Sequence, residues 1–251
     1  MRQERIDMME KYILRSGSVS INQLMEEFNV SANTVRRDLE NLINRGNIRK
    51  IYGGVSAVQE RMPVPMAVRA QKNQDAKVVI GKMASELVWD NSAIFLDSGS
   101  TTMSMLPYLS QKKNITVISH SLAALYEASK YPGLNIVSLG GIYSPSTYSF
   151  VGMSTVEQLS RISVDLAFMA ATGVSIQHGL TNSTYMEAEI KRAVTQRSNS
   201  IVLMADHSKF GHFAPFTFCD LSALSAVVTD IEPKKDYLEL FSRAGIKLYC
   251  G

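Results

Sequence analysis

The chain has 251 residues, 45% of them hydrophobic and 20% charged, with 15 Gly and 7 Pro, which excludes disordered, collagen-like and coiled-coil classes and leaves room for more than one domain. No apolar run approaches the roughly 20 residues of a membrane span, and the mixed-charge start Met1-Arg2-Gln3-Glu4-Arg5 is not that of a secretory signal. A formal net charge of +3 does not by itself point to nucleic acid; two cysteines, Cys219 and Cys250, and four histidines outside any ligand spacing predict no disulfide, metal or cofactor and suit a reducing cytoplasm.

Ile6, Met9, Ile13 and Leu14 recur at helical spacing among charged residues, which predicts an amphipathic helix ending near Ser16-Gly17. Ser20-Ile21-Asn22-Gln23 has the form of a capping box, so a second, short helix is expected through Leu24 to Phe28. After Asn29-Val30, Ser31 can cap a third helix whose Val35, Leu39 and Leu42 share one face. That leaves Asn33, Arg36 and Arg37 pointing away from the core, with Gly46 as the stop. Ile48 to Tyr52 and Val55 to Ala57 flank Gly53-Gly54 as a small hairpin.

Three short helices with a tight corner, followed by a hairpin, predict a winged helix-turn-helix whose third helix enters the major groove of DNA. Between Asn33 and Gly54 the basic residues Arg36, Arg37, Arg45, Arg49 and Lys50 face only Asp38 and Glu40. Guanidinium forks suit guanine edges and phosphates. Taken alone, the Arg36-Arg37 pair reads as a solvated helix face. The stretch Val30 to Leu39, then Gly46 and Arg49-Lys50-Ile51-Tyr52-Gly53-Gly54-Val55, resembles the winged helix-turn-helix signature of the DeoR family of bacterial sugar-metabolism regulators. The resemblance implies duplex contacts from Ser31, Asn33, Thr34, Arg36, Arg37, Arg49, Lys50 and Tyr52. Tyr52 and Val55 stand where the family commonly has His and Ala.

The expected organisation is a DNA-binding domain over residues 1–58, a linker over 59–74 with Pro63 and Pro65, and an α/β domain over 75–251 that begins with a helix near Asp75 to Val88. Beyond that helix, seven strand-like runs alternate with helical stretches: Ala93–Asp97, Ile115–Ser119, Leu134–Leu139, Asp165–Ala170, Ser200–Ala205, Ala226–Thr229 and Ile246–Tyr249. Such alternation predicts a mostly parallel sheet covered by helices on both faces, with ligands gathering beyond the carboxyl ends of its strands.

The first run passes through Asp97 and Ser98-Gly99-Ser100-Thr101-Thr102 into a helix expected over Met103 to Leu109. A small turn opening a helix offers amides and hydroxyls to a phosphate. Other runs end in Ser119-His120-Ser121, Gly140-Gly141, Thr172-Gly173 and Asp206-His207-Ser208-Lys209, an open rim of donors, acceptors and a cation for a polyol with an anionic end. Each signal also has a plain structural reading: the serine turn as a helix cap, Gly140-Gly141 as a turn, Glu187 and Lys191 as a surface ion pair at i and i+4, His120 as a polar strand end, and Asp206 with Lys209 as a loop pair.

These segments, together with Gly152, Asp165 to Gly173, Gly179-Leu180 and Glu187 to Ala193, resemble the effector domain of DeoR-type regulators, itself similar to sugar-phosphate isomerases. The resemblance implies phosphate binding by Ser98, Gly99, Ser100, Thr101 and Thr102, and a sugar site of Asp97, His120, Gly140, Gly141, Gly173, Glu187, Lys191, Asp206 and Lys209. His120 stands where the family usually has Asn.

The leading reading is a cytoplasmic bacterial transcriptional regulator, a repressor by preference and not an enzyme. It binds operator DNA as a dimer or tetramer, associates with the nucleoid when bound, and responds to a phosphorylated sugar or sugar alcohol. The alternative is a sugar-phosphate isomerase with an accessory DNA-binding module, using Asp97, Glu187 or Asp206 as base. A nucleotide-binding protein is excluded by the want of a Gly-x-Gly-x-x-Gly or P-loop motif.

Overall fold

A computed structural model of the protein describes residues 2–44, 48–51, 53–57 and 64–251. The expected contributions of Arg45, Gly46, Tyr52 and Pro63, and the boundary near residue 58, lie outside the described residues. The chain divides into two compact units, Met1–Arg61 and Met62–Gly251.

The smaller unit runs α1 (Arg2–Ser16), β1 (Ser18–Ser20), α2 (Ile21–Phe28), α3 (Ala32–Asn44), β2 (Ile48–Ile51) and β3 (Gly54–Ala57). Ile6, Met9 and Ile13 of α1 close against Leu24, Val35, Leu39 and Leu42, all buried, while Leu14 falls outside the stripe and is 42% exposed. Ser20 and Gln23 form the capping box: Ser20 Oγ accepts from the Gln23 amide at 3.2 Å and Gln23 Oε1 accepts from the Ser20 amide at 2.9 Å. Asn29 ends α2 with φ of 48°, the left-handed corner that turns the chain into α3.

The hairpin has a third member that the sequence reading did not contain. β1 pairs antiparallel with β3, which also pairs with β2. A Cβ at Gly54 would stand 2.2 Å from the Val19 carbonyl oxygen, so glycine is what lets these two backbones meet.

The larger unit begins with α4 (Met66–Gln71) and α5 (Gln74–Glu86). It continues with β4 (Ala93–Leu96), α6 (Ser100–Met103), α7 (Leu106–Leu109), β5 (Ile115–Ser119), α8 (Leu122–Ala128) and β6 (Leu134–Ser138). Next come β7 (Ile142–Ser144), β8 (Ser149–Val151), α9 (Met153–Leu159), β9 (Val164–Met169), β10 (Gly173–Ser175), β11 (Gly179–Asn182) and α10 (Tyr185–Thr195). The last elements are β12 (Ser198–Met204), β13 (Phe216–Cys219), β14 (Ala226–Thr229), α11 (Lys235–Ala244) and β15 (Lys247–Cys250).

All seven expected strands join one parallel sheet, in the order β15-β14-β12-β9-β4-β5-β6. Successive residues feed two cores: Phe95, Ala167 and Leu203 point to the one that holds α9, α10 and α11, while Ile94, Leu96, Phe168 and Val202 point to the one that holds α5 and α8. Burial on both faces is why these strands read as unbroken apolar runs. Unanticipated are the hairpin β7-β8 and the antiparallel sheet β10-β11-β13.

Two differences bear on function. Residues 66–71, assigned to the linker, form helix α4. The helix expected over Met103 to Leu109 is instead two four-residue turns, α6 and α7, separated by Ser104 and Met105. Ser104 Oγ donates to the carbonyls of Lys77 and Thr101, both at 2.6 Å, and so ties the break to α5.

Candidate functional site

In the smaller unit, Asn33, Arg36 and Arg37 are exposed on α3, opposite buried Val35 and Leu39. Ser31 Oγ accepts from the Thr34 amide at 3.4 Å and pairs with Thr34 Oγ1 at 3.0 Å, so both hydroxyls sit at the start of the helix. Asp38 turns inward instead of offsetting the arginines: it is 1% exposed and bonded to Arg5 Nε at 2.9 Å. The outer face of α3 is therefore more cationic than its composition. Arg49 and Lys50 are exposed on β2.

In the larger unit the strand ends β4 and β5 bring together the central group. Asp97 follows β4, His120 follows β5, and Lys191 reaches in from α10; all three are buried. Lys191 Nζ pairs with Asp97 Oδ2, and also donates to the Ala170 carbonyl at 2.9 Å. The Ala170 amide donates to the same carboxylate at 2.9 Å. Burial alone would raise the Asp97 pKa, but the charge of Lys191, and to a lesser extent His120, hold it well below the usual carboxylate range.

His120 Nδ1 donates to the Phe150 carbonyl at 2.9 Å, which leaves Nε2 facing Asp97 Oδ1 at 3.6 Å. Neither facing atom has a hydrogen-bond partner among the described residues. Two buried polar atoms are thus left with hydrogen-bonding capacity unused.

Glu187 opens α10 and is likewise buried, so the surface ion pair with Lys191 is not what forms. Its Oε1 accepts from Ser98 Oγ at 3.2 Å, and its Oε2 accepts from Asn182 Nδ2 at 3.0 Å and Thr184 Oγ1 at 2.9 Å. Asp206 Oδ1 accepts from the Ser208 amide at 3.0 Å and from Asn73 Nδ2 at 3.1 Å. Burial pushes the Lys209 ammonium pKa down against the attraction of Asp206, and Lys72 and Arg69 push it the same way.

The Ser98–Thr102 loop faces Glu187 but is not the open rim expected. Ser98, Ser100, Thr101 and Thr102 are at most 9% exposed, and Ser100 Oγ lies 3.4 Å from the Arg69 carbonyl of α4. Thr102 Oγ1 donates to the carbonyls of Asp97 at 2.7 Å and Gly99 at 2.8 Å, which fixes the turn. A Cβ at Gly99 would stand 2.4 Å from that of Ala170.

Gly140 and Gly141 pack on α9: the Gly140 carbonyl accepts from Thr155 Oγ1 at 2.8 Å and its amide donates to Gln158 at 3.2 Å. Gly173 opens β10, where a Cβ would meet the His212 carbonyl at 2.5 Å. An open groove of about 840 Å³ beside α11, lined by Asp220, Asp236, Tyr237 and Glu239, contains none of the nominated residues.

Residues that sequence reasoning missed are Arg69, Asn73, Lys77 and Asn182. Arg69, Lys72 and Lys77 are cations spaced through a stretch read as connector. A proline opening a helical turn, as Pro65 does for α4, is the signal that was there to find.

The chain matches the DeoR-like helix-turn-helix domain over residues 5–61 and the DeoR C-terminal sensor domain over residues 72–231. It is 40% identical over 251 residues, all of both chains, to the HTH-type transcriptional regulator IolR of Bacillus subtilis. It is 26% identical over 236 residues, 94% of each chain, to the glycerol-3-phosphate regulon repressor of Escherichia coli. Among solved structures, ribose 5-phosphate isomerase A of Methanocaldococcus jannaschii overlaps 55% of each chain at 23% identity, with a TM-score of 0.42. An exposed basic helix-turn-helix face in one unit, a buried polar site in the other, and family matches over both identify the chain as a DNA-binding transcriptional regulator of the DeoR family.

Proposed function

We propose that this protein represses a sugar or sugar-alcohol utilisation operon in the bacterial cytoplasm, and that a phosphorylated sugar or sugar alcohol bound in the larger unit changes its operator affinity. The observation that carries this reading is the meeting of Asp97, His120, Lys191 and Glu187 around the Ser98–Thr102 loop, with unpartnered atoms on Asp97 and His120. Carboxylates and an imidazole suit polyol hydroxyls; the loop, with Lys209 near Asp206, suits the phosphate. Relatives named as repressors, one of them of a glycerol-3-phosphate regulon, support the direction of control and the class of ligand.

On the DNA side, Ser31, Asn33, Thr34, Arg36 and Arg37 of the α3 region would contact the major groove, with Arg49 and Lys50 of the wing on phosphates. Paired half-sites call for a symmetric dimer or tetramer. The exposed apolar side chains at the β6 edge and its neighbour, Ile136 (38%), Val137 (39%) and Ile142 (71%), support such self-association.

No turnover is proposed. A general base works best with a pKa near the operating pH, whereas Asp97 and Asp206 both lie below the ordinary carboxylate value. Both Glu187 oxygens are already hydrogen-bonded. A thermal-shift screen of the full chain against phosphorylated sugars and sugar alcohols tests the reading. The expected result is stabilisation by at least one phosphorylated compound with no product formed; isomerisation of ribose 5-phosphate by the pure protein would contradict it.

A further inference from the structure

Helix α4 lies over the Ser98–Thr102 loop and is held there by contacts that belong to the sensor site. Ser100 meets the Arg69 carbonyl, Lys77 Nζ donates to the carbonyls of Arg69 and Lys72, and Asn73 holds Asp206. At its other end the Met66 amide donates to the Ser146 carbonyl at 3.0 Å. Arg69 uses Nε on the Val64 carbonyl at 3.0 Å, but its Nη2 is buried and has no partner among the described residues. A guanidinium N–H left in that state is costly unless something else accepts from it.

Two independent features say what would. Arg69 is within electrostatic reach of Asp97 and Glu187, and its unpartnered donor joins Asp97 Oδ1 and His120 Nε2, on fully buried side chains, as the buried side-chain atoms without a hydrogen-bond partner among the described residues. The charges around it also do not cancel. Arg69, Lys72, Lys77 and Lys209 repel one another against Asp206 and Glu187, while Asp97 is matched by Lys191, which leaves a surplus of two positive charges. A phosphate ester carries about two negative charges at neutral pH. The α6 turn beside it, at four residues, is too short to supply that charge from its dipole.

We propose that Arg69 is an anion-binding residue of the sensor site and that α4 is the cover through which the site is entered: a phosphate monoester accepts from the free Arg69 N–H and is neutralised by Arg69 and Lys209 together. The proposal rests on the phosphorylated-effector reading and adds to it the residue that the serine loop lacks. α4 is also the first element after the smaller unit ends at Arg61, so a ligand that engages Arg69 acts on the segment leading to the DNA-binding unit.

The test is calorimetric titration of the full chain with inorganic phosphate and with glycerol 3-phosphate at fixed ionic strength, alongside hydrogen exchange of residues 66–77. Arg69→Ala should weaken phosphate binding by about 30-fold or more, and Arg69→Lys by less than about tenfold. Exchange over residues 66–77 of the unmodified chain should slow when phosphate saturates it. Unaltered phosphate affinity in Arg69→Ala overturns the role of Arg69 and leaves the phosphorylated-effector reading intact. An unmodified chain that ignores both phosphorylated probes overturns the two together. If Arg69→Ala does not fold, exchange on the unmodified chain decides, and no change over residues 66–77 at saturating phosphate contradicts the proposal.

Discussion

Lys191 and Asp97, 94 residues apart in the chain, form an ion pair in which the ammonium side chain is 4% exposed and the carboxylate not at all. Breaking a buried pair from one side leaves a charge without compensation, which costs about 3–5 kcal/mol. Lys191→Met should therefore lower unfolding free energy by about that much, and Lys191→Met with Asp97→Asn should recover a large part of it. Chemical denaturation of the single and double variants measures both numbers. Equal losses in the single and double variants would show that the pair is not coupled.

The same pair predicts how stability depends on acid. The Asp97 pKa in the folded chain is depressed below its ordinary value of 3.8, so its contribution is fully present above that pH and is lost as pH falls below it toward the folded value. Thermal melts should show a steeper loss of stability below pH 3.8 in the unmodified chain than in Asp97→Asn. Parallel curves would place the acid sensitivity elsewhere.

Gly99→Ala tests the loop without removing a polar group. Its Cβ would collide with Ala170 Cβ, 2.4 Å away on the strand end that also hydrogen-bonds Asp97, so the loop must shift. The expected outcome is a loss of effector response of at least about tenfold, with operator affinity retained and a stability cost of about 1–3 kcal/mol from overpacking. Effector titration of the variant, paired with a gel shift, reads both arms.

Most of the frame was legible because the physics behind it is local. Ile94-Phe95-Leu96 and Val202-Leu203-Met204 announce doubly buried parallel strands, and Ser20 with Gln23 announces a cap, without reference to the rest of the fold. What escaped depends on distant partners. β1 is Ser18-Val19-Ser20, three residues whose strand character comes from pairing with Gly54 to Ser56. Gly179-Leu180-Thr181-Asn182 is buried at every position and shows no alternation. α4 follows two prolines and a mixed-charge stretch, so Arg69 fell within the expected linker although the fold buries its Nη2.

The site divides the same way. Residue types at strand ends picked out Asp97, Ser98 and Asp206, and the family resemblance added Glu187 and Lys191, but neither gave the pairing: Lys191 neutralises Asp97 and leaves Glu187 to Ser98, Asn182 and Thr184. Spacing along one helix predicted the reverse, since i and i+4 contacts are visible in a sequence and contacts 94 residues apart are not.

On the DNA-binding unit, Arg37→Ala removes an exposed guanidinium from α3 without touching its buried face. Operator affinity should fall by about 1–3 kcal/mol while ligand-induced thermal shifts stay unchanged. Loss of both functions together would show that the two activities are not separable.

Occupancy of the site around Asp97, Glu187 and Arg69 should change how tightly α3 and the wing hold DNA. Fluorescence anisotropy of a labelled duplex from upstream of the protein's own operon, titrated with the full chain across a salt series with and without the phosphorylated compound that stabilises it, measures this directly. Binding should be specific and steeply salt-dependent, with an affinity that shifts by about fivefold to 150-fold when that compound is present. Identical binding curves with and without it, at ligand concentrations that saturate the thermal shift, would show that the site does not control the DNA-binding face.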